Sequence, residues 1–184
     1  ADIIDIGGES TRPGFTEVSE EEEIKRIVPV IKALRKKSDV IISVDTRKKE
    51  VMKAAYEEGA DILNDVSSFE SDPVLADYAA QKDVSVILMH GYNKSENHES
   101  SENITKEVSD YLLERVDFAI AHGIKKGKII LDPGIGFGKT NEENISLIKD
   151  TEKLCSSGFP LLMALSRKRV IGNMTGRDVE ERLT

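Results

Sequence analysis

Tryptophan is absent from this 184-residue chain, cysteine occurs once, and aromatic residues together make up only 5% of it. The lone Cys155 excludes an intrachain disulfide and suits a reducing, cytoplasmic setting. No apolar run approaches the roughly 20 residues that a membrane-spanning helix requires, so no membrane partner is expected. Positive charge is also scarce. Lys and Arg number 26 against 34 Asp and Glu, a net charge of -8. That balance speaks against a nucleic-acid surface, because binding phosphate backbones takes clustered cations. The lysine pairs that do occur, Lys36-Lys37 and Lys125-Lys126, fall at expected helix ends, where cations complement the helix dipole. Linkers rich in Ser and Gly are missing as well, which predicts one domain over residues 1–184. The chain opens on "ADIIDIGG", already inside a strand-like run, and stops at "EERLT" within a helical pattern. It reads as a fragment of a longer chain.

What the chain does contain is alternation. Short runs rich in Ile, Val and Leu recur at 2–6, 40–44, 60–63, 84–89, 128–131 and 160–165. They are nearly continuous in apolar character, the mark of parallel strands buried on both faces. Helical segments lie between them. The clearest starts at Ser19, with Glu22 three residues on as a capping box. Its apolar face is Ile24, Ile27, Val28, Ile31 and Leu34, and Pro29 predicts a kink. Further helices are expected over about 47–58, from Asp72-Pro73, over about 104–122 and over about 141–157. The polar segment 91–103 reads as a loop insertion. Six strand–helix units suit either a doubly wound sheet or a (β/α)8 barrel. A complete barrel takes about 250 residues, so the pattern favours an α/β TIM barrel lacking its first and last strand regions.

The residues that follow each strand carry the chemistry. The runs end in Asp45, in Asn64-Asp65, in His90, in Asp132 and in Ser166-Arg167-Lys168, while the first passes into "GGESTR". Barrel enzymes build their sites at these carboxyl ends. One loop, "ILDPGIGFGKT", resembles a phosphate-binding P-loop. A Walker A motif, G-x-x-x-x-G-K-[ST], requires glycine at position 133, where this chain has Pro133. The Rossmann pattern fails too, because Gly138 falls one residue early. The glycines are instead suited to a tight turn that lets the backbone approach a ligand beside Asp132. His90, His98 and His122 lack metal-site spacing, and neither a Cys–His pair nor a G-x-S-x-G elbow is present. Carboxylates such as Asp45 and Asp132 accept paired N–H groups, Asn64 both donates and accepts, and Arg12 and Lys168 supply positive charge. That set suits a polar planar heterocycle carrying a phosphate-like group.

Five motifs then occur in one order: "ADIIDIGGESTRPG" from residue 1, "ISVDT" at 42–46, "LNDV" at 63–66, "LDPGIGFGK" at 131–139 and "SRKRVIG" at 166–172. With them the whole chain resembles the dihydropteroate synthase family, pterin-binding enzymes of folate biosynthesis and the target of sulfonamides. The resemblance implies a transferase that condenses 6-hydroxymethyl-7,8-dihydropterin pyrophosphate with p-aminobenzoate, giving 7,8-dihydropteroate and pyrophosphate. It implies pterin contacts for Asp45, Asn64 and Asp132, and a contact to both substrates for Lys168. Met89 would form an apolar wall, Phe137 would flank the p-aminobenzoate subsite, and Thr11 and Arg12 would lie on the loop that closes over it. Lys168 and Asp132 are the implied catalytic residues, Mg²⁺ the cofactor and a homodimer the working form. The family's metal ligand would lie before residue 1. Two departures stand out. "LMHGYNKSENHES" replaces the usual pattern after the strand at 84–89, and Arg169 stands where many relatives have Ser. Two other readings of the same residues are a methyltetrahydrofolate-dependent methyltransferase of this fold and a non-catalytic pterin-binding homologue. "STRPG" and "SRKR" are features the methyltransferase should lack.

Overall fold

The structure, a computed structural model, describes residues 1–10, 16–91 and 100–182. Five strands form one parallel sheet: β1 Ile3–Gly7, β2 Ile41–Asp45, β3 Ile62–Asp65, β4 Ser85–Met89 and β5 Ile129–Asp132. Their spatial order is β1-β2-β3-β4-β5, the order of the chain. A doubly wound sheet reverses direction at a switch point, and this one never does. With right-handed crossovers, steady progress in one direction places every connecting helix on the same face. The result is an arc of a TIM barrel, with a helix layer outside and the strand faces opposite it turned inward.

Register separates the two faces. Pairs Gly7↔Asp45, Asp45↔Asn64, Asn64↔Ile87 and Met89↔Asp132 put these residues in rows across neighbouring strands. Since side chains alternate along a strand, Asp5, Asp45, Asn64, Ile87, Met89 and Asp132 share the inner face. Val44, Leu63, Val86, Leu88 and Leu131 point the other way. They pack, all but fully buried, with Ile27, Ile31, Val51, Leu75, Leu112 and Leu147 of the helices. Each such side chain contributes about 1.5–3 kcal/mol by leaving water.

The helices are α1 Glu20–Arg35, α2 Lys49–Glu57, α3 Val74–Lys82, α4 Ile104–Ala121, α5 Asn141–Lys149, α6 Thr151–Cys155 and α7 Arg169–Thr175. Ser19 caps α1 by accepting from the Glu22 amide, and the helix continues through Pro29. The segment expected to be one helix over 141–157 is two, broken at Asp150. Asp150 is drawn aside by Thr105, whose hydroxyl donates to its carboxylate at 2.8 Å. The run 160–165 is not a full strand. It makes a single parallel bridge, Leu131↔Leu161, which takes the position next to β5.

Candidate active site

The inner face at the carboxyl ends of the strands gathers the expected groups. Asp45 and Asn64 are register neighbours, as are Met89 and Asp132 one strand pair further on. The parallel ladder alone aims these four side chains into one space. Asp5 joins them from two residues below Gly7, with the Asn64 amide nitrogen 3.4 Å from each of its carboxylate oxygens. The sequence reading did not single out Asp5, because it lies inside an apolar run rather than after one.

Asp45 is the electrostatic centre of this group. Its Oδ1 is buried and meets no hydrogen-bond donor among the described residues. Burial, followed by the charges of Asp5, Asp65 and Glu23, pushes its carboxyl up from the usual 3.8 to about 7, with Arg47 opposing. A buried acceptor without a donor is costly unless a ligand supplies one. The sign for stability follows. The folded state holds this proton more tightly than the unfolded chain, so Asp45 lowers stability progressively as pH rises from about 4 to about 7, and the deficit is constant above that window. Asp45→Asn should therefore raise the melting temperature at pH 8 and leave it nearly unchanged at pH 4. Thermal unfolding at the two pH values checks this, and equal shifts at both would refute the assignment.

Asp132 sits at the end of β5, only 5% exposed. Burial raises its pKa, while the Gly134 amide, Lys168 and Lys139 pull it down. Its Oδ1 accepts from the Gly134 amide at 2.7 Å, so the glycine turn wraps around the carboxylate. Lys168 reaches the same loop from the other side. Its ammonium donates to the Ile135 carbonyl and lies 4.4 Å from the centre of the Phe137 ring. Burial lowers the Lys168 pKa and Asp132 counters it. Arg167, just before it, holds a left-handed φ of 60°, and this turns the chain so that Lys168 points inward rather than along α7. Asp132, Phe137 and Lys168 thus form one cluster, with Met89 buried beside Asp132.

Thr11 and Arg12 lie outside the described residues. The residues that flank them are tied to a charge network that sequence reasoning missed. Glu9 meets Arg47 at 2.6 Å and Lys48 at 2.8 Å, and Lys48 also meets Glu23 at 2.8 Å. The Val18 amide donates to Glu9 at 2.7 Å, and Lys48 donates to the Val18 carbonyl at 2.6 Å. Burial opposes ionisation of Glu9, but the bonds from Lys48, Val18 and Arg47 outweigh it and hold its pKa at about 2. The partners are 25 to 39 residues apart, so no spacing rule could have paired them.

Two strand-end residues point away from the site. Asp65 faces the helix layer and closes a turn, accepting from the Ser67 amide and hydroxyl and from the Phe69 amide at 2.7–2.8 Å. His90, 4% exposed, packs edge-on to Tyr111 at 4.8 Å. Among the described residues no group of three or more His, Cys, Asp or Glu is arranged to hold a metal ion, and no helix is long and apolar enough to cross a membrane.

A parallel barrel arc whose inner strand ends pair carboxylates with an amide, flanked by a lysine on an aromatic ring, defines a (β/α)-barrel protein with buried acceptors gathered at one end. The family model for pterin binding enzymes matches residues 1–184, and the chain belongs to that family. It is 44% identical over 183 residues to the dihydropteroate synthase of Clostridium beijerinckii, covering 100% of this chain and 66% of that protein. The Bacillus subtilis dihydropteroate synthase is 43% identical over 182 residues, 99% of this chain and 62% of its own length. Among solved structures, Xanthomonas albilineans dihydropteroate synthase with 4-aminobenzoic acid superposes with a TM-score of 0.93 at 43% identity, covering 100% of this chain and 66% of that one. A second structure of the Xanthomonas protein, in complex with 7,8-dihydropteroate, gives 0.87 at 40% identity over 99% and 65%. The chain thus spans less than two thirds of the length of these curated relatives.

Proposed function

We propose that residues 1–184 are the pterin-binding portion of a longer barrel domain, and that the whole protein is a dihydropteroate synthase. It would condense 6-hydroxymethyl-7,8-dihydropterin pyrophosphate with p-aminobenzoate, releasing pyrophosphate and forming 7,8-dihydropteroate for folate synthesis. The observation that carries this reading is the row Asp45–Asn64, with Asp45 Oδ1 buried and without a donor among the described residues. The 2-amino and ring N–H groups of a pterin are the donors such an acceptor lacks, and Asn64 supplies both polarities beside it.

In the reaction the bond from the pterin methylene carbon to the pyrophosphate oxygen breaks, and the electron pair leaves with pyrophosphate. The amine nitrogen of p-aminobenzoate then bonds to that carbon and loses a proton. Positive charge develops on the pterin, and Asp45 and Asp132 stand fixed where they stabilise it without reorganising. No side-chain nucleophile takes part. Lys168, with its ammonium directed at the Ile135 carbonyl and the Phe137 ring, holds the edge where pterin and p-aminobenzoate meet. Met89 lines the apolar wall. Thr11 and Arg12 are assigned to the p-aminobenzoate and pyrophosphate side from the motif alone. Mg²⁺ would supply charge neutralisation for pyrophosphate, and among the described residues no group of three or more His, Cys, Asp or Glu is arranged to hold it. We assign a cytoplasmic homodimer as the working form. The exposed Met174 of α7 and the exposed Val179 just beyond it support an association face near the C-terminal end.

The direct assay incubates full-length protein with the pterin pyrophosphate, p-aminobenzoate and Mg²⁺ and follows pyrophosphate release. Absence of release would end this reading. Lys168→Ala should cut turnover by about 100-fold or more, the range seen when one preorganised polar group is removed, with circular dichroism unchanged. An active Lys168→Ala enzyme would remove that residue from the mechanism.

A further inference from the structure

Lys139 is the lysine that made this loop resemble a P-loop, yet its ammonium is turned into the protein. It donates to the carbonyls of His90 at 2.9 Å, Gly134 at 3.0 Å and, more weakly, Phe137 at 3.4 Å. An ammonium has three N–H donors and no acceptor, so three carbonyls match its charged form; a neutral amine would turn a lone pair on one of them. A charge in the interior is costly, and the turn does not require it. The Phe137 amide already donates to Gly134 O at 3.0 Å, the Gly136 amide to Asn144 at 2.7 Å, and the Gly134 amide to Asp132. What the charge adds is an ammonium held on the carbonyl of Gly134, the residue whose amide donates to Asp132.

We propose that Lys139 is a positioning residue for Asp132: it pins the β5–α5 turn to the end of β4 and acts as the interior counter-charge that keeps the Asp132 carboxylate ionised to receive its ligand. The two groups act on each other reciprocally, each favouring the charged form of its neighbour against burial. Among the described residues, the other charged groups acting on Lys139 are Glu143 on α5 and Glu107 on α4, which favour its ammonium, and Lys168 before α7, which opposes it. His90 contributes its carbonyl from the end of β4. Ligand N–H groups arriving at Asp132 stabilise the carboxylate, and through it the ammonium behind. Binding is therefore coupled to proton uptake at Lys139, whose pKa burial brings down to about 7. The role in ligand binding rests on the functional reading above; the coupling to Asp132 does not.

The test uses the full-length protein with ¹³C-labelled Asp and Lys. In Lys139→Met the Asp132 carboxyl should titrate about one pH unit higher than in wild type, and the dissociation constant for 6-hydroxymethylpterin should weaken by up to about tenfold, the factor that one unit represents, at pH values below the Asp132 midpoint where the proton competes with the ligand. A purely structural staple would leave the Asp132 midpoint in place, and an unchanged midpoint in folded Lys139→Met protein overturns the proposal. If that variant does not fold, Asp132→Asn provides the reciprocal measurement. The Lys139 midpoint should fall, and a Lys139 that titrates as in wild type overturns the proposal equally. Failure of the wild-type protein to bind 6-hydroxymethylpterin would sink the functional reading instead, while the two midpoints still decide the role of Lys139.

Discussion

Gly134→Ala should destabilise the protein by about 3 kcal/mol or more, within the range of substitutions that strain the backbone and displace packed groups. Gly134 has a left-handed φ of 67°, and a Cβ there would lie 1.8 Å from the His90 carbonyl oxygen and 2.9 Å from the His90 carbonyl carbon. The left-handed conformation alone costs alanine about 1–2 kcal/mol. The overlap adds more, because the obstacle is backbone at the end of a central strand and cannot rotate aside. Lys139 loses as well, since its acceptors are the same His90 carbonyl and that of Gly134 itself. Urea unfolding monitored by circular dichroism measures the loss. Gly127→Ala, where an added Cβ meets nothing within 4 Å, should stay within about 0.5 kcal/mol of wild type. Similar midpoints for the two variants would mean that the turn slides off β4 without penalty. Because Asp132 is bonded to the Gly134 amide, the alanine variant should also weaken pterin binding at temperatures where it remains folded.

Lys48→Met is expected to cost about 3–5 kcal/mol at pH 7, the penalty for removing one partner of a buried ion pair. Among the described residues, Lys48 alone touches Glu9 and Glu23 together, and the side chains of those two glutamates are 6% and 1% exposed. Its removal takes away the one ion pair that Glu23 makes among the described residues, and the Oε1 of Glu23 already has no partner there. Acid reveals the cause. In the wild type, Glu9 is held at about 2 against an ordinary 4.5, so it contributes stability above pH 4.5 that is lost as pH falls toward 2. In Lys48→Met the Lys48 share of that depression is gone, with Val18 and Arg47 still acting, and Glu9 should accept its proton at milder acidity. The stability gap between wild type and variant should therefore narrow as pH falls from about 4.5 toward 2. Denaturant titrations across that range provide the check, and a gap independent of pH would assign the loss to packing. Adding Glu23→Gln to Lys48→Met should recover part of the loss, since contacting residues are not additive.

Much of this site was open to inspection in the chain. Asp45, Asn64 and Asp132 announced themselves because a parallel strand buried on both faces is apolar to its last residue, and a polar group directly after it marks the end of the barrel where ligands enter. Pro133 was enough to dismiss the nucleotide reading of the glycine loop. Asn64 and Asp65 looked equivalent as strand-end neighbours, yet register sends one to the inner face of the barrel arc and the other under the Ser67–Phe69 turn. Asp5 stayed hidden within its strand, and the break at Asp150, whose carboxylate accepts from Thr105 45 residues away, left no local signal.

From local chemistry alone, the sequence determined the succession of strands and helices, the end of each strand that carries function, and the presence of glycines for a tight turn around Asp132. These depend on near neighbours along the chain: a period of two or 3.6, a cap, or a proline where a glycine would be needed. Tertiary structure alone decided which side of each strand faces the barrel interior, that Glu9, Arg47, Lys48 and Glu23 meet, and that Lys139 turns inward to three carbonyls. Those outcomes depend on strand register and on low-dielectric burial, where a pair of charges or an unmatched acceptor counts for far more than in water. Register and burial exist only once distant segments have packed together.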